Sequence, residues 1–211
     1  MNGPMTRALE THEKERLVVG ISGASGVIYG IRLLEALREL EIESHLVMTK
    51  AAELTIGLET SLKPKAVAAK ADYAYAPGDI AAALASGTFR TKGMIVAPCS
   101  VRSWSEIATG VTTNLLTRAA DVTLKERRPL VLMIRETPLH VGHLRTLAQL
   151  AEMGAIILPP LPDFYSEPHA LSDFVEQIVG RALDLMGYNW PAQKRWGESP
   201  AKGARKPRTR T

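Results

Sequence analysis

The residues with chemical potential lie in short stretches spread over most of the chain. The first is Gly20-Ile21-Ser22-Gly23-Ala24-Ser25-Gly26. Its glycines permit a tight turn, and a helix starting there offers backbone N–H groups to an anion. The Ser22 and Ser25 hydroxyls add donors. The stretch reads either as a phosphate cradle or as a plain strand-to-helix turn with a cap. It is neither the dinucleotide G-x-G-x-x-G nor the P-loop G-x-x-x-x-G-K-[ST], so neither NAD nor ATP follows. The hydrolase elbow G-x-S-x-G also fails, because Ala24 stands at its last position.

Pro98-Cys99-Ser100 opens a second candidate loop. Cys99 has no histidine near it in sequence and reads as a buried structural thiol, with Ser100 as a ligand contact. Arg118 and Lys125 are seven residues apart, which on a helix places them on one face about 10 Å apart. They are either part of a solvated basic face, continued by Glu126, Arg127 and Arg128, or partly embedded cations that need anions. Arg135-Glu136-Thr137-Pro138 follows an apolar run directly, so Glu136 is either a general acid or half of an ion pair. His140 and His143 resemble a metal pair, but no third ligand falls at zinc-like spacing, and a capping or core role is expected.

These stretches need elements to hold them. Apolar β-rich runs at 17–21, 44–48, 93–97, 130–134 and 155–158 read as five strands. Amphipathic segments at 27–40, 50–58, 114–127, 143–153 and 170–186 read as helices, while 60–79 is the least legible stretch. Strands alternating with helices predict an α/β domain: a Rossmann-like (flavodoxin-like) three-layer sandwich, its mostly parallel sheet covered by helices on both faces. Ligands of such sheets bind beyond the carboxyl ends of the strands, where strand order reverses. The informative loops are therefore 22–26, Thr49, 98–105, 135–140 and 159–165.

Composition narrows the classes. With 211 residues, one domain with one sizeable core is expected. We divide the chain into a flexible lead at 1–15, a domain at 16–188 and a partly disordered basic tail at 189–211. The net charge of +4 gathers in that tail, and aromatics do not interleave with basic residues, which argues against nucleic acid. No apolar run is long enough to cross a bilayer. The single cysteine suits a reducing, cytoplasmic setting.

Several stretches together resemble the UbiX-type flavin prenyltransferases: GISGASGVIYGIRLLEAL at 20–37, HLVMTKAAELTIGLE at 45–59, ASGTFRTKGMIVAPCS at 85–100, the run at 114–144 that contains TRAADV, KERR and RETP, LAEMGAIILPPLPDFY at 150–165 and VGRALDLMG at 179–187. A smaller echo lies at 194–198. The resemblance implies an enzyme that joins a dimethylallyl group from dimethylallyl phosphate to N5 and C6 of reduced FMN, with no metal. Prenylated FMN would then pass to a UbiD-type decarboxylase. It implies that Gly23, Ala24, Ser25 and Thr49 hold FMN, that Ser100, Val101, Arg102 and Ser103 line its ring, and that Arg118 contacts flavin and substrate phosphate. Lys125, Glu136, Tyr165 and Arg181 would hold the dimethylallyl phosphate, Glu136 and Lys125 acting in catalysis. Ser25 and Glu59 would stand near flavin N5, and Trp196 would cover a neighbouring subunit's site. Here Val101-Arg102-Ser103-Trp104 replaces a run of smaller residues, which sets bulky Arg102 and Trp104 beside the flavin. A homo-oligomer is implied, commonly a dodecamer with sites between subunits. Two alternatives share the fold: a flavin-dependent cysteine decarboxylase, which would carry a histidine near the second helix, and a non-catalytic flavin-carrying accessory subunit of a decarboxylase.

Overall fold

The structure is a computed structural model that describes residues 14–197. Most of the proposed lead and the tail from residue 198 onward lie outside the described residues, as does the last position of the 194–198 echo.

Six strands form one sheet: β1 (Arg16–Ile21), β2 (Glu43–Met48), β3 (Tyr73–Tyr75), β4 (Gly93–Cys99), β5 (Leu130–Ile134) and β6 (Ile156–Ile157). Their order is β3-β2-β1-β4-β5-β6, and every neighbouring pair is parallel. The central strands are buried on both faces, which is why they read as unbroken apolar runs. Alternate residues feed opposite cores. Leu17, Val19, Ile21, Ile95 and Met133 enter one, with α1 (Val27–Glu39), α2 (Lys50–Glu59), α3 (Pro64–Ala68) and α7 (Leu171–Leu185). Val18, Met94, Val96 and Leu132 enter the other, with α4 (Val101–Thr109), α5 (Leu115–Lys125) and α6 (Val141–Glu152). The expected three-layer α/β sandwich is thereby shown.

Close approach of α1 to the sheet depends on Gly30. A methyl group there would meet the Ala97 carbonyl oxygen at 2.3 Å.

Two expectations need correction. The sheet has six strands, not five: β3 lies in the illegible 60–79 stretch, where three residues on the sheet edge make too short a run to show a period. The segment expected to be a loop at 98–105 becomes helix α4 from Val101 onward, capped by Ser100. Val101, Trp104, Ile107 and Ala108 do recur at helical spacing, but the run is short and follows β4 with no intervening turn. Among the described residues, no helix is long and apolar enough to cross a membrane.

Candidate active site

The strand order reverses between β1 and β4, so the connections that follow them diverge and open a crevice at the carboxyl edge of the sheet. Ser22 fastens the two sides. Its hydroxyl donates to the Pro98 carbonyl at 2.8 Å and accepts from the Ser100 N–H at 2.7 Å. It is fully buried, so it is an internal tie and not the ligand donor the sequence suggested.

Above that tie lies a cleft of about 740 Å³, a size typical of small-molecule sites. Gly23, Ala24 and Ser25 form one wall, Thr49, Lys50 and Ala51 a second, Ser100, Val101, Arg102 and Ser103 a third, and Arg135 and Glu136 the rim. Three helices begin on it. Thr49 caps α2 by accepting from the Ala52 N–H at 3.1 Å, Ser100 caps α4 from Ser103 at 3.4 Å, and Asn114 caps α5 from Thr117 at 3.2 Å. Helix N-termini carry partial positive charge, and three converging on one space favour an anion. Each capping hydroxyl uses a lone pair in its cap, which leaves the Thr49 O–H to donate outward.

The start of α1 is different. The Glu59 carboxylate accepts from the Gly26 N–H at 2.8 Å and the Val27 N–H at 3.2 Å. Burial alone would raise its pKa. Hydrogen bonds from the Ser25 hydroxyl and those two amides, with the Arg135 charge, outweigh this and hold the carboxyl below the ordinary range. The amides expected to cradle a phosphate are therefore already occupied by an internal anion. Of the helix starts on the cleft, those of α2, α4 and α5 remain open to an external anion.

Arg118 and Lys125 do not line this cleft. They share a separate recess with Ala85, Gly87 and Thr88. There the Arg118 guanidinium donates to Asp121 at 2.8 Å and to the Ala85 carbonyl at 3.3 Å, while Lys125 donates to Glu126 at 2.6 Å. Tyr165 and Arg181 meet in a third, smaller hollow beside Asp163 and Gln177. Trp196, 81% exposed, stands edge-on to Tyr165 at 5.4 Å between ring centres. The half-buried Glu136 lies on the first cleft, where its carboxylate accepts from the Thr137 N–H at 3.0 Å.

Comparison with known proteins decides the family. The Flavoprotein family model matches residues 5–182. The chain is 54% identical over 178 residues to the flavin prenyltransferase UbiX of Escherichia coli K12, a match covering 84% of this chain and 94% of the relative. The chain belongs to the UbiX flavin prenyltransferases. The crystal structure of AnUbiX (PadA1) with FMN and dimethylallyl pyrophosphate superposes with a TM-score of 0.86 at 47% identity, covering 87% of this chain and 98% of that one. A dodecameric FMN-dependent UbiX-like decarboxylase from Escherichia coli O157:H7 gives 0.84 at 47% identity, covering 86% and 98%.

For a UbiX flavin prenyltransferase, the α4 side chains fall differently than expected. Trp104 is fully buried in the cluster with Cys99, Ile107 and Leu115 and does not line the cleft. Arg102 does line the cleft, with its guanidinium directed to Glu106 at 2.8 Å. His140 caps α6, its Nδ1 accepting from the Gly142 and His143 N–H groups, and its ring stacks on His143 at 3.6 Å. Among the described residues, no three His, Cys, Asp or Glu side chains group as metal ligands. Cys99 is buried, and burial pushes its thiol far above the ordinary value.

Sequence reasoning missed Glu106, Asn114, Pro77 and Gly78 and placed Arg135 at the ligand edge without giving it a role, although all of them line the cleft. Asn114 could have been found from its capping residue type ahead of an apolar run. Pro77 and Gly78 belong to the illegible stretch and gave no signal.

Proposed function

We propose that this chain transfers the dimethylallyl group of dimethylallyl phosphate to N5 and C6 of reduced FMN, giving prenylated FMN for a UbiD-type decarboxylase. The cleft suits FMN. It is large enough, and three helix starts favour its phosphate. Gly23, Ala24, Ser25 and Thr49 would hold the nucleotide, with Ser100, Val101, Arg102 and Ser103 along the ring. When bound and reduced, FMN supplies the nucleophilic atoms. Glu59, ionised and hydrogen-bonded to Ser25, then accepts through that hydroxyl the proton released at N5.

The observation that carries the reading of the second substrate is the placement of its cations. Arg118 and Lys125 stand on α5, packed on one face of the sheet, and Arg181 stands on α7, packed on the other. Within one chain they lie in separate recesses, on opposite layers of the sheet. A site that uses all of them is assembled from several copies, as in a homo-oligomer such as the dodecamer formed by the Escherichia coli relative. In that composite site Arg118, Lys125 and Arg181 neutralise the departing phosphate through charge-assisted hydrogen bonds, and Glu136 delivers a proton to it. Burial, and then Asp163, raise the Tyr165 phenol above its ordinary value, so it serves as a further donor at neutral pH. Trp196 closes the apolar side and keeps water from the allyl group. Cytoplasmic residence belongs to the same reading, since a lone buried thiol suits a reducing compartment.

The test is incubation of the purified protein with reduced FMN and dimethylallyl phosphate. A mass gain of one prenyl unit on the flavin is expected, and its absence overturns the reading. Carbon dioxide released from a cysteinyl peptide would favour the decarboxylase alternative, although α2 ends in Glu59 and holds no histidine. Flavin binding with neither reaction would favour the carrier.

A further inference from the structure

We propose that Asp184 and Arg195 form a latch that positions Tyr165 and Arg181 for the phosphate of the prenyl donor, acting as positioning residues that do not themselves touch substrate. This rests on the prenyl-transfer reading and adds to it. Asp184 lies in the last turn of α7, three residues after Arg181, and its side chain is 13% exposed. Both its oxygens are taken by the Arg195 guanidinium fork, one at 2.8 Å, and Arg195 also donates to the Asn189 side chain at 3.0 Å. A bidentate fork fixes direction as well as distance. It holds residues 194–196 along α7, where the Lys194 N–H also donates to Gln177 at 2.9 Å.

Two consequences reach the donor site. The Lys194 carbonyl sits 3.4 Å from the Tyr165 hydroxyl, and the Trp196 ring stands against the Tyr165 ring. Both contacts exist only while the 194–196 segment stays on α7. The second consequence is competition. Arg181 approaches Asp184 only at 3.9 Å, and its side chain is 58% exposed. With Arg195 filling the carboxylate, Arg181 stays available to an anion. Without Arg195, the same carboxylate is left with Arg181 as its nearest cation and draws it away from the donor phosphate.

Competition gives the test its sign. Arg195→Met is expected to raise the KM for dimethylallyl phosphate about tenfold, a shift of about 1.4 kcal/mol, with kcat within about twofold and FMN affinity at the wild-type value. Adding Asp184→Asn removes the competing charge, so the double variant is expected to regain about threefold of that loss. A latch that only stiffened the fold would show its recovery in the melting temperature and none in the KM measured at a temperature where all the variants are fully folded. Arg195→Lys, which keeps the charge but loses the fork, is expected to fall between wild type and Arg195→Met, and it stands in should the methionine variant fail to fold. An unchanged KM in either single variant, or a double variant no better than Arg195→Met, overturns the latch. Failure of the wild-type protein to prenylate FMN in the same assay would instead overturn the underlying reading.

Discussion

Gly23→Ala tests the proposed flavin cleft where two of its walls meet. A methyl group on Gly23 would stand 2.3 Å from the Ala51 Cβ and 3.1 Å from the Ala51 carbonyl carbon, well inside van der Waals contact. One side must move. The loop is tied by the buried Ser22 on one side and by Glu59 holding the Gly26 and Val27 amides on the other. The opposing first turn of α2 is tied by the Thr49 cap. Whichever yields is a wall of the cleft, so the strain appears in flavin affinity. Overpacking of this kind costs about 1–3 kcal/mol, and each 1.4 kcal/mol or so is tenfold. The Kd for FMN, read from quenching of flavin fluorescence, should therefore rise roughly five- to 150-fold. Ala51→Gly in the same chain removes the Cβ at 2.3 Å and leaves only the backbone contacts at 3.1 and 3.2 Å, so most of the affinity should return. Gly57→Ala, on the open face of α2 with nothing within 4 Å, is the control and should bind FMN normally. Wild-type affinity in Gly23→Ala, or no recovery in the double variant, would refute the reasoning.

Further outcomes follow from the same geometry. Glu59→Gln should lower stability by about 1 kcal/mol at pH 7, a modest figure because the residue is exposed and its charge screened. Because the folded carboxyl is held below its ordinary value, its contribution is present above the unfolded pKa and fades as pH falls through the folded one. The melting difference between Glu59→Gln and wild type should therefore shrink on acidification, and a difference that is constant with pH would contradict the capping role. Arg118→Ala and Arg181→Ala should each nearly abolish prenylation alone. Co-expressed as mixed oligomers they should recover activity in about a quarter of sites, as random assembly predicts for a site drawing on different copies; no recovery would place both residues in one chain's site. The single thiol, Cys99, should resist iodoacetamide at pH 8 in the folded protein and react on unfolding, as mass spectrometry would show, and ready labelling of the folded protein would contradict its burial.

Much of the fold was legible because burial on both faces leaves an unmistakable mark. β1, β4 and β5 are unbroken apolar runs, and α1, α5 and α7 carry apolar residues at a 3.6-residue period. What escaped was short or faced solvent. β3 has only three residues on the sheet edge. Helix α4 follows its strand after a single capping residue, so its nine residues read as part of a loop. The Gly/Ser turn shows a different limit. Its composition is that of an anion cradle, but whether its amides are free depends on Glu59, 33 residues further along the chain. Local residue types cannot report that a distant carboxylate already fills the place.

The proposed donor site shows why spacing stops short of geometry. Seven residues on one helix do put Arg118 and Lys125 in one recess, and α7 with its preceding loop does bring Tyr165 to Arg181. Periodicity fixes which side of a helix a residue occupies, but not which side of the sheet that helix covers. That depends on the direction of each crossover: the reversal between β1 and β4 puts α5 on the layer opposite α1, and α7, which follows the last strand, packs beside α1. Five residues proposed to hold one phosphate thus lie in three partial sites, Arg118 paired with Asp121 at 2.8 Å and Lys125 with Glu126 at 2.6 Å, while Arg181 approaches Asp184 only at 3.9 Å. Partial sites of this kind make assembly a condition of activity: a variant that holds the chain monomeric while preserving the flavin cleft should bind FMN and fail to prenylate it.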